Sequence, residues 1–254
     1  MAEQTKPTNI IAVASGKGGV GKTWFSVTLA HLFARSGRQT LIVDGDIGLA
    51  NVDVQLGLTP ERDLSAVFAG KAKLKDVVMR YDEGNFDIVA GRSGSARFTE
   101  LAPSQLEIVR EQLFDIASLY DYVIIDLGAG VERYVRFLTS VAARCIVVIT
   151  DEPTSLTDAY AFVKLCYGSG AERPELQVVV NQAATQKEGQ KSYQSLNKAC
   201  ESFLKMSPEC LGIIRKDNKV KDAIRSQTSM LIKSPHSLAA TDTAAISIKL
   251  LQRG

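Results

Sequence analysis

Residues 12–26 read "AVASGKGGVGKTWFS" and satisfy two nucleotide-binding patterns at once. Gly16, Gly18 and Gly21 have the G-x-G-x-x-G spacing of a dinucleotide-binding turn, whereas Gly16 to Thr23 have the G-x-x-x-x-G-K-[ST] spacing of a P-loop. The first pattern has one supporter: Asp44 ends an apolar run about 20 residues further on, where a ribose-binding acid would sit. It leaves Lys22 and Thr23 without a task. The second pattern uses both, because backbone N–H groups from Gly16 through Gly19, Val20 and Gly21 cradle phosphate oxygens, Lys22 neutralises the β/γ charge and the Thr23 hydroxyl reaches Mg²⁺. A P-loop also requires a metal-side carboxylate at the end of an apolar strand. Asp126 in "YVIIDLGAG" (122–130) meets that requirement, and the glycines after it allow loop movement. The P-loop reading therefore stands, with ATP and Mg²⁺ as ligands.

Outward from this stretch, short apolar runs alternate with helical patterns. The runs are "IIAVAS" (10–15), "TLIVD" (40–44), "FDIVA" (86–90), "YVIID" (122–126), "CIVVIT" (145–150), "LQVVVN" (176–181) and "LGIIR" (211–215). Helical patterns cover 22–36, 103–119, 131–141, 154–167 and 188–205, two helices close the chain, and the stretch after Asp44 reads as loop. Strands apolar on both faces and separated by helices predict an α/β fold: a doubly wound, mostly parallel sheet with helices on both faces. A short extension (1–8) precedes a single domain (9–254). In such a sheet, ligands bind beyond the carboxyl ends of the strands, where loops 14–22, 44–53 and 126–131 converge.

The 254 residues carry 30 Lys/Arg against 28 Asp/Glu, too balanced for the chain as a whole to be drawn to nucleic acid or membranes. Residues 181–254 are more basic, with 12 Lys/Arg against 6 Asp/Glu, which leaves non-specific DNA as a less favoured partner. Cys145, Cys166, Cys200 and Cys210 form no C-x-x-C pair and read as reduced thiols. With no apolar leader and no run of about 18 apolar residues, a cytoplasmic protein is expected. His31 and His236 lack the partners of a metal or catalytic constellation.

"KGGVGKT" (17–23) resembles the deviant Walker A motif of the MinD/ParA superfamily of P-loop ATPases. The resemblance implies a homodimer formed around ATP, in which Lys17 reaches the partner's nucleotide while Lys22 serves its own. "IVDGDIGLANVDVQLGL" (42–58) is similar to the family's switch I segment, which implies that Asp46 positions the attacking water and that Asp44 lies near the metal with Thr23 and Asp126. Asn181 matches an adenine-contacting asparagine, and Trp24 adjoins the nucleotide loop. Together with "DLGAG", the segments "DIGLANVD" and "DEPTSLTDAYA" (151–161) narrow the resemblance to the flagellar-number regulators of the FlhG/FleN branch. That branch implies a slow, partner-stimulated ATPase acting as a dimerisation switch for flagellum number or placement. Its partners would be flagellar assembly or transcription-regulator proteins, and any polar or membrane location would come through a partner.

Departures from the pattern also carry expectations. Arg215 stands where the family usually has a proline near adenine. Trp24 replaces a small or polar residue, and its side chain is expected to pack against a neighbouring helix. The N-terminus lacks the D-Q-A motif through which this branch engages a GTPase partner. Ala244, Ile248 and Leu251 recur at i, i+4 and i+7, with Ala245 beside them, which predicts a final helix packed on the sheet through that stripe and no intrinsic membrane anchor. The alternatives are a ParA-like DNA-associated partition or organelle-positioning ATPase and, remotely, a dinucleotide oxidoreductase. Iron–sulfur relatives are excluded by the cysteine spacing.

Overall fold

The computed structural model describes residues 6–46, 49–91, 102–168 and 173–253. Residues 47 and 48 of the switch I-like segment, and the first five residues of the expected N-terminal extension, lie outside them. One sheet of eight strands forms the middle layer: β1 (Ile10–Ser15), β2 (Thr40–Gly45), β3 (Val78–Tyr81), β4 (Phe86–Val89), β5 (Tyr122–Ala129), β6 (Arg144–Ile149), β7 (Glu175–Ala183) and β8 (Glu209–Arg215). Their order is β3-β4-β2-β5-β1-β6-β7-β8. Every pairing is parallel except β3 with β4.

Alternation along each strand splits the core in two. Ile10, Ala12 and Ala14 face one side of the sheet with Val123, Ile125 and Leu127, whereas Ile11 and Val13 face the other with Ile124, Ile146 and Val148. The first side is covered by α3 (Leu64–Phe68), α4 (Pro103–Ala117), α5 (Arg133–Val141), α6 (Pro153–Tyr167) and α7 (Gln186–Leu204). The second is covered by α1 (Lys22–Arg35), α2 (Val52–Leu56), α8 (Asn218–Arg225), α9 (Met230–Lys233) and α10 (Leu238–Leu251). Burial on both faces is why the inner strands are apolar throughout. Helix α1 packs between the sheet and α10, so Trp24, Phe25, Val27, Leu29, Ala30 and Phe33 are buried on several sides of it rather than along one stripe.

Three details differ from the sequence expectation. The stretch read as loop holds α2, α3, two short 3₁₀ turns and β3. As an antiparallel edge strand, β3 keeps Arg80 exposed and Val78 and Met79 half-buried, so it shows no continuous apolar run. Three helices rather than two close the described chain. Helix α10 does pack on the sheet, but through Ala239, Ala240, Thr243, Ile246, Ser247 and Leu250, and Ile248 is exposed. The buried stripe includes polar residues because their hydroxyls are satisfied locally: Thr243 donates to the Ala239 carbonyl and Ser247 to the Ala244 carbonyl, both at 2.8 Å. Among the described residues, no helix is long and apolar enough to cross a membrane.

Candidate nucleotide site

The loop from Gly16 to Gly21 joins β1 to α1 at the carboxyl end of the sheet. Gly21 is the residue before α1; its φ of 90° suits glycine, and it offers α1 no side-chain cap. The first N–H groups of a fourteen-residue helix are thus left for an anion, with the helix dipole behind them. Gly16 is required for a different reason. A Cβ there would lie 2.2 Å from the backbone carbon of Asp158, so α6 crosses against the loop backbone.

Lys22 lies under this loop, buried, and donates to Ser15 Oγ at 2.8 Å. Burial lowers its pKa, against the raising effect of Asp126 and Asp46. Asp126 occupies the centre of the sheet, in register with Val13 of β1 and Asp44 of β2. Its carboxylate accepts from Ser26 Oγ at 2.8 Å and from the Thr23 hydroxyl. Burial pushes it up to about 6 even so, with Lys22 pulling the other way. Asp44 is buried beside it, pushed up to about 7 by burial and then by the Asp126 charge. Both Asp44 oxygens are engaged by the loop that follows: Oδ1 accepts from the Asp46 amide at 3.1 Å, and Oδ2 from the amides of Asn51 and Val52 at 2.9 and 3.0 Å. Asp44 therefore ties Asp46 and the start of α2 to the end of β2, in addition to standing next to Asp126. Asp46 lies at the cleft edge, bonded to the Leu49 amide and within the field of Lys22; burial raises its pKa.

The structure thus brings Lys22, Thr23, Asp44, Asp46 and Asp126 together. Four other residues are held outside this cluster. Lys17 bends to α6, where its ammonium pairs with Glu152 and donates to Thr154 Oγ1 at 3.0 Å. Asn181 donates to the Val20 carbonyl at 2.8 Å and accepts from the Gln182 amide at 2.9 Å, so its amide clamps the P-loop to β7. Trp24 touches the cleft with one edge but is otherwise packed in the core, and its Nε1 has no partner among the described residues. Arg215 is held by α10: its backbone N, Nε and Nη2 all donate to Asp242, at 2.9, 2.9 and 2.8 Å.

Sequence reasoning missed Ser15 and Ser26. Ser26 had a signal, since it lies three residues after Thr23 and shares its helix face. A cleft of about 780 Å³ opens over the site, lined by Lys22, Thr23, Trp24, Asp46 and Asn181 on one side and by Arg215 and the start of α8 on the other. That volume suits a small-molecule ligand.

Residues 8–167 match the model of a family described as AAA domain. Antiactivator FleN of Pseudomonas aeruginosa is 37% identical over 245 residues, covering 96% of this chain and 86% of that protein. The chain belongs to the MinD/ParA family of P-loop ATPases, in the FleN/FlhG branch. Flagellum site-determining protein YlxH of Helicobacter pylori is 30% identical, with 91% of this chain and 78% of that protein covered. Among solved structures, the septum site-determining protein MinD of Pyrococcus horikoshii, complexed with Mg-ADP, superimposes with a TM-score of 0.80 over 96% of each chain at 23% identity. The fold is that of MinD.

Proposed function

We propose that this chain is an ATP-driven dimerisation switch that regulates flagellum number or placement. The observation that carries the proposal is the convergence of Lys22, Thr23, Asp46 and Asp126 under an uncapped helix N-terminus, in a chain whose relatives include FleN and YlxH. Lys22 would neutralise the β- and γ-phosphates, α1 amides would hold their oxygens, and Asp46 would orient the attacking water. Positioning of this kind is most of what phosphoryl transfer needs.

Mg²⁺ fits the residues present. Asp126 is buried, and burial raises its pKa by leaving its negative charge poorly solvated, a cost that a divalent cation would offset; the Thr23 hydroxyl already lies against it. Among the described residues there is no cluster of three or more His, Cys, Asp or Glu side chains able to cage a metal. Mg²⁺ suits such a site, because it is commonly held by one or two carboxylates together with substrate phosphates. Thr23 and Asp126 would hold it, with Asp44 beside them. When bound, the ion supplies Lewis-acid charge to the phosphate oxygens.

Binding would close a homodimer around ATP, and hydrolysis would reopen it, so catalysis serves timing. The partners proposed for the closed state are flagellar assembly or transcription-regulator proteins, and any polar or membrane location follows from them. The test pairs calorimetry with light scattering. ATP should bind and convert the protein to a dimer, ADP should bind without dimerising it, and Asp46→Ala should accumulate as the ATP dimer with hydrolysis at least tenfold down. A monomer at saturating ATP would overturn the switch, and parental hydrolysis by Asp46→Ala would overturn the role of that residue.

A further inference from the structure

Gly128, in β5 two residues after Asp126, is crowded by two polar side chains. A Cβ on it would lie 2.7 Å from Tyr134 Oη and 3.0 Å from Asp46 Oδ1. A phenol from α5 and a carboxylate from the loop after β2 therefore flank the same point above Gly128. The Tyr134 ring is buried in the core beside Val135 and Leu138, yet the residue also lines the cleft. Its hydroxyl makes no hydrogen bond to another described residue. Burial, followed by the negative charges of Asp46 and Glu132, pushes the phenol up to about 12, so near neutral pH it carries its proton.

Asp46 needs such a donor. Its carboxylate turns about two bonds, and of the groups around it the Leu49 amide is a fixed donor while Lys22 acts through charge. A carboxylate that orients water must itself be held, since an ångström of misplacement removes a large part of the benefit of positioning.

We propose that Tyr134 is a positioning residue for hydrolysis: when ATP is bound, its hydroxyl, unbonded beside Asp46 in the nucleotide-free chain, donates to the Asp46 carboxylate across Gly128 and fixes the orientation in which Asp46 holds the attacking water. The inference rests on the reading of Asp46 given above. It also assigns Gly128 a task, because any side chain there would wedge donor and acceptor apart.

The test uses the full chain as parent, Tyr134→Phe, Gly128→Ala, Asp46→Ala and the Tyr134→Phe/Asp46→Ala double variant. Steady-state kcat and KM, ATP affinity by calorimetry and hydrogen exchange at the Leu49 amide in the protein saturated with a non-hydrolysable ATP analogue are measured for each. Tyr134→Phe keeps the buried ring, so its melting temperature should stay at the parental value. Its kcat should fall about tenfold with ATP affinity within about twofold of the parent, and Leu49 should exchange faster because Asp46 is less firmly held. Gly128→Ala should give the same split between kcat and affinity, and the double variant should be no slower than Asp46→Ala alone. A Tyr134→Phe enzyme at the parental kcat, or one whose kcat and affinity fall together, overturns the proposal. So does a full further loss in the double variant. If Asp46→Ala itself hydrolyses ATP normally, the reading of Asp46 fails, and unchanged Leu49 exchange in Tyr134→Phe separately refutes the hydrogen bond.

Discussion

Lys17 is paired with Glu152 of its own chain, at the residue preceding α6. A lysine expected to serve a facing subunit is thus engaged at home, and in that role it would have to let go for a dimer to close. The bond that must break is weak: the two side chains are 37% and 59% exposed, and exposed ion pairs contribute about 1 kcal/mol or less. A partner's triphosphate, with several negative charges, readily outcompetes one carboxylate. Glu152→Gln should therefore lower the ATP concentration for half-maximal dimerisation by about two- to fivefold, read by light scattering in the Asp46→Ala background so that turnover does not interfere. An unchanged or higher midpoint would show that the Lys17–Glu152 pair does not restrain dimerisation.

Lys22→Ala removes the ammonium that faces both Asp126 and Asp46. Without it the carboxylates of Asp126 and Asp46 face the polyanion with only the backbone amides of the loop and α1 to offset them. Loss of a charge-assisted contact worth about 3 kcal/mol weakens binding by two orders of magnitude or more. Calorimetry should detect no ATP binding, while circular dichroism stays native because Ser15 Oγ keeps its bond to the Lys17 carbonyl and Asp126 keeps the Ser26 and Thr23 hydroxyls. Parental ATP affinity in a folded Lys22→Ala protein would remove the P-loop assignment.

The sequence announced the parallel strands because burial on both faces leaves runs such as Val178–Val180 with no polar positions. It announced the phosphate loop because backbone geometry demands glycines there. What it hid depends on contacts between distant segments. Gly16 looked like one more phosphate-cradling glycine, and only the fold shows Asp158 pressed against it. Asn181 matches a base-contacting position in the sequence, and only the fold shows that its amide also clamps Val20. The stripe of α10 was misread by counting apolar residues alone, since Thr243 and Ser247 become buriable once their hydroxyls bond the preceding turn. Tyr134 had no signal, because nothing in residue spacing relates it to Asp46.

The two kinds of P-loop glycine should separate in a stability measurement. Gly16→Ala forces the α6 backbone to move, since its Cβ would sit 2.2 Å from Asp158. Backbone cannot yield as a flexible side chain does, so the loss should reach about 3 kcal/mol or more. Gly19 has φ of 79° but nothing within 4 Å of its Cβ position, so Gly19→Ala carries only the left-handed strain of about 1–2 kcal/mol. Urea unfolding without nucleotide should rank Gly16→Ala well below Gly19→Ala, and equal losses would contradict the packing role of Gly16.

His31 should make the fold sensitive to mild acid. It is buried in α1, with Nδ1 2.7 Å from the Ser229 hydroxyl that also caps α9. Burial, aided by the Arg35 charge, lowers its pKa to about 4 from an ordinary 6.5. The sign follows from proton counting: between these values the unfolded chain takes up the His31 proton and the native chain does not, so the His31 contribution to stability is full above about pH 6.5 and declines as pH falls toward 4. Integrated to about pH 5, one such group accounts for roughly 2 kcal/mol. His31→Gln removes the titration while keeping a polar side chain of similar reach toward Ser229. Urea midpoints at about pH 7.5 and pH 5 should then fall further for the parent than for His31→Gln, with the difference corresponding to roughly 2 kcal/mol. Parallel losses in the two proteins would mean that His31 gains its proton in the folded state, and the acid sensitivity would lie with other groups.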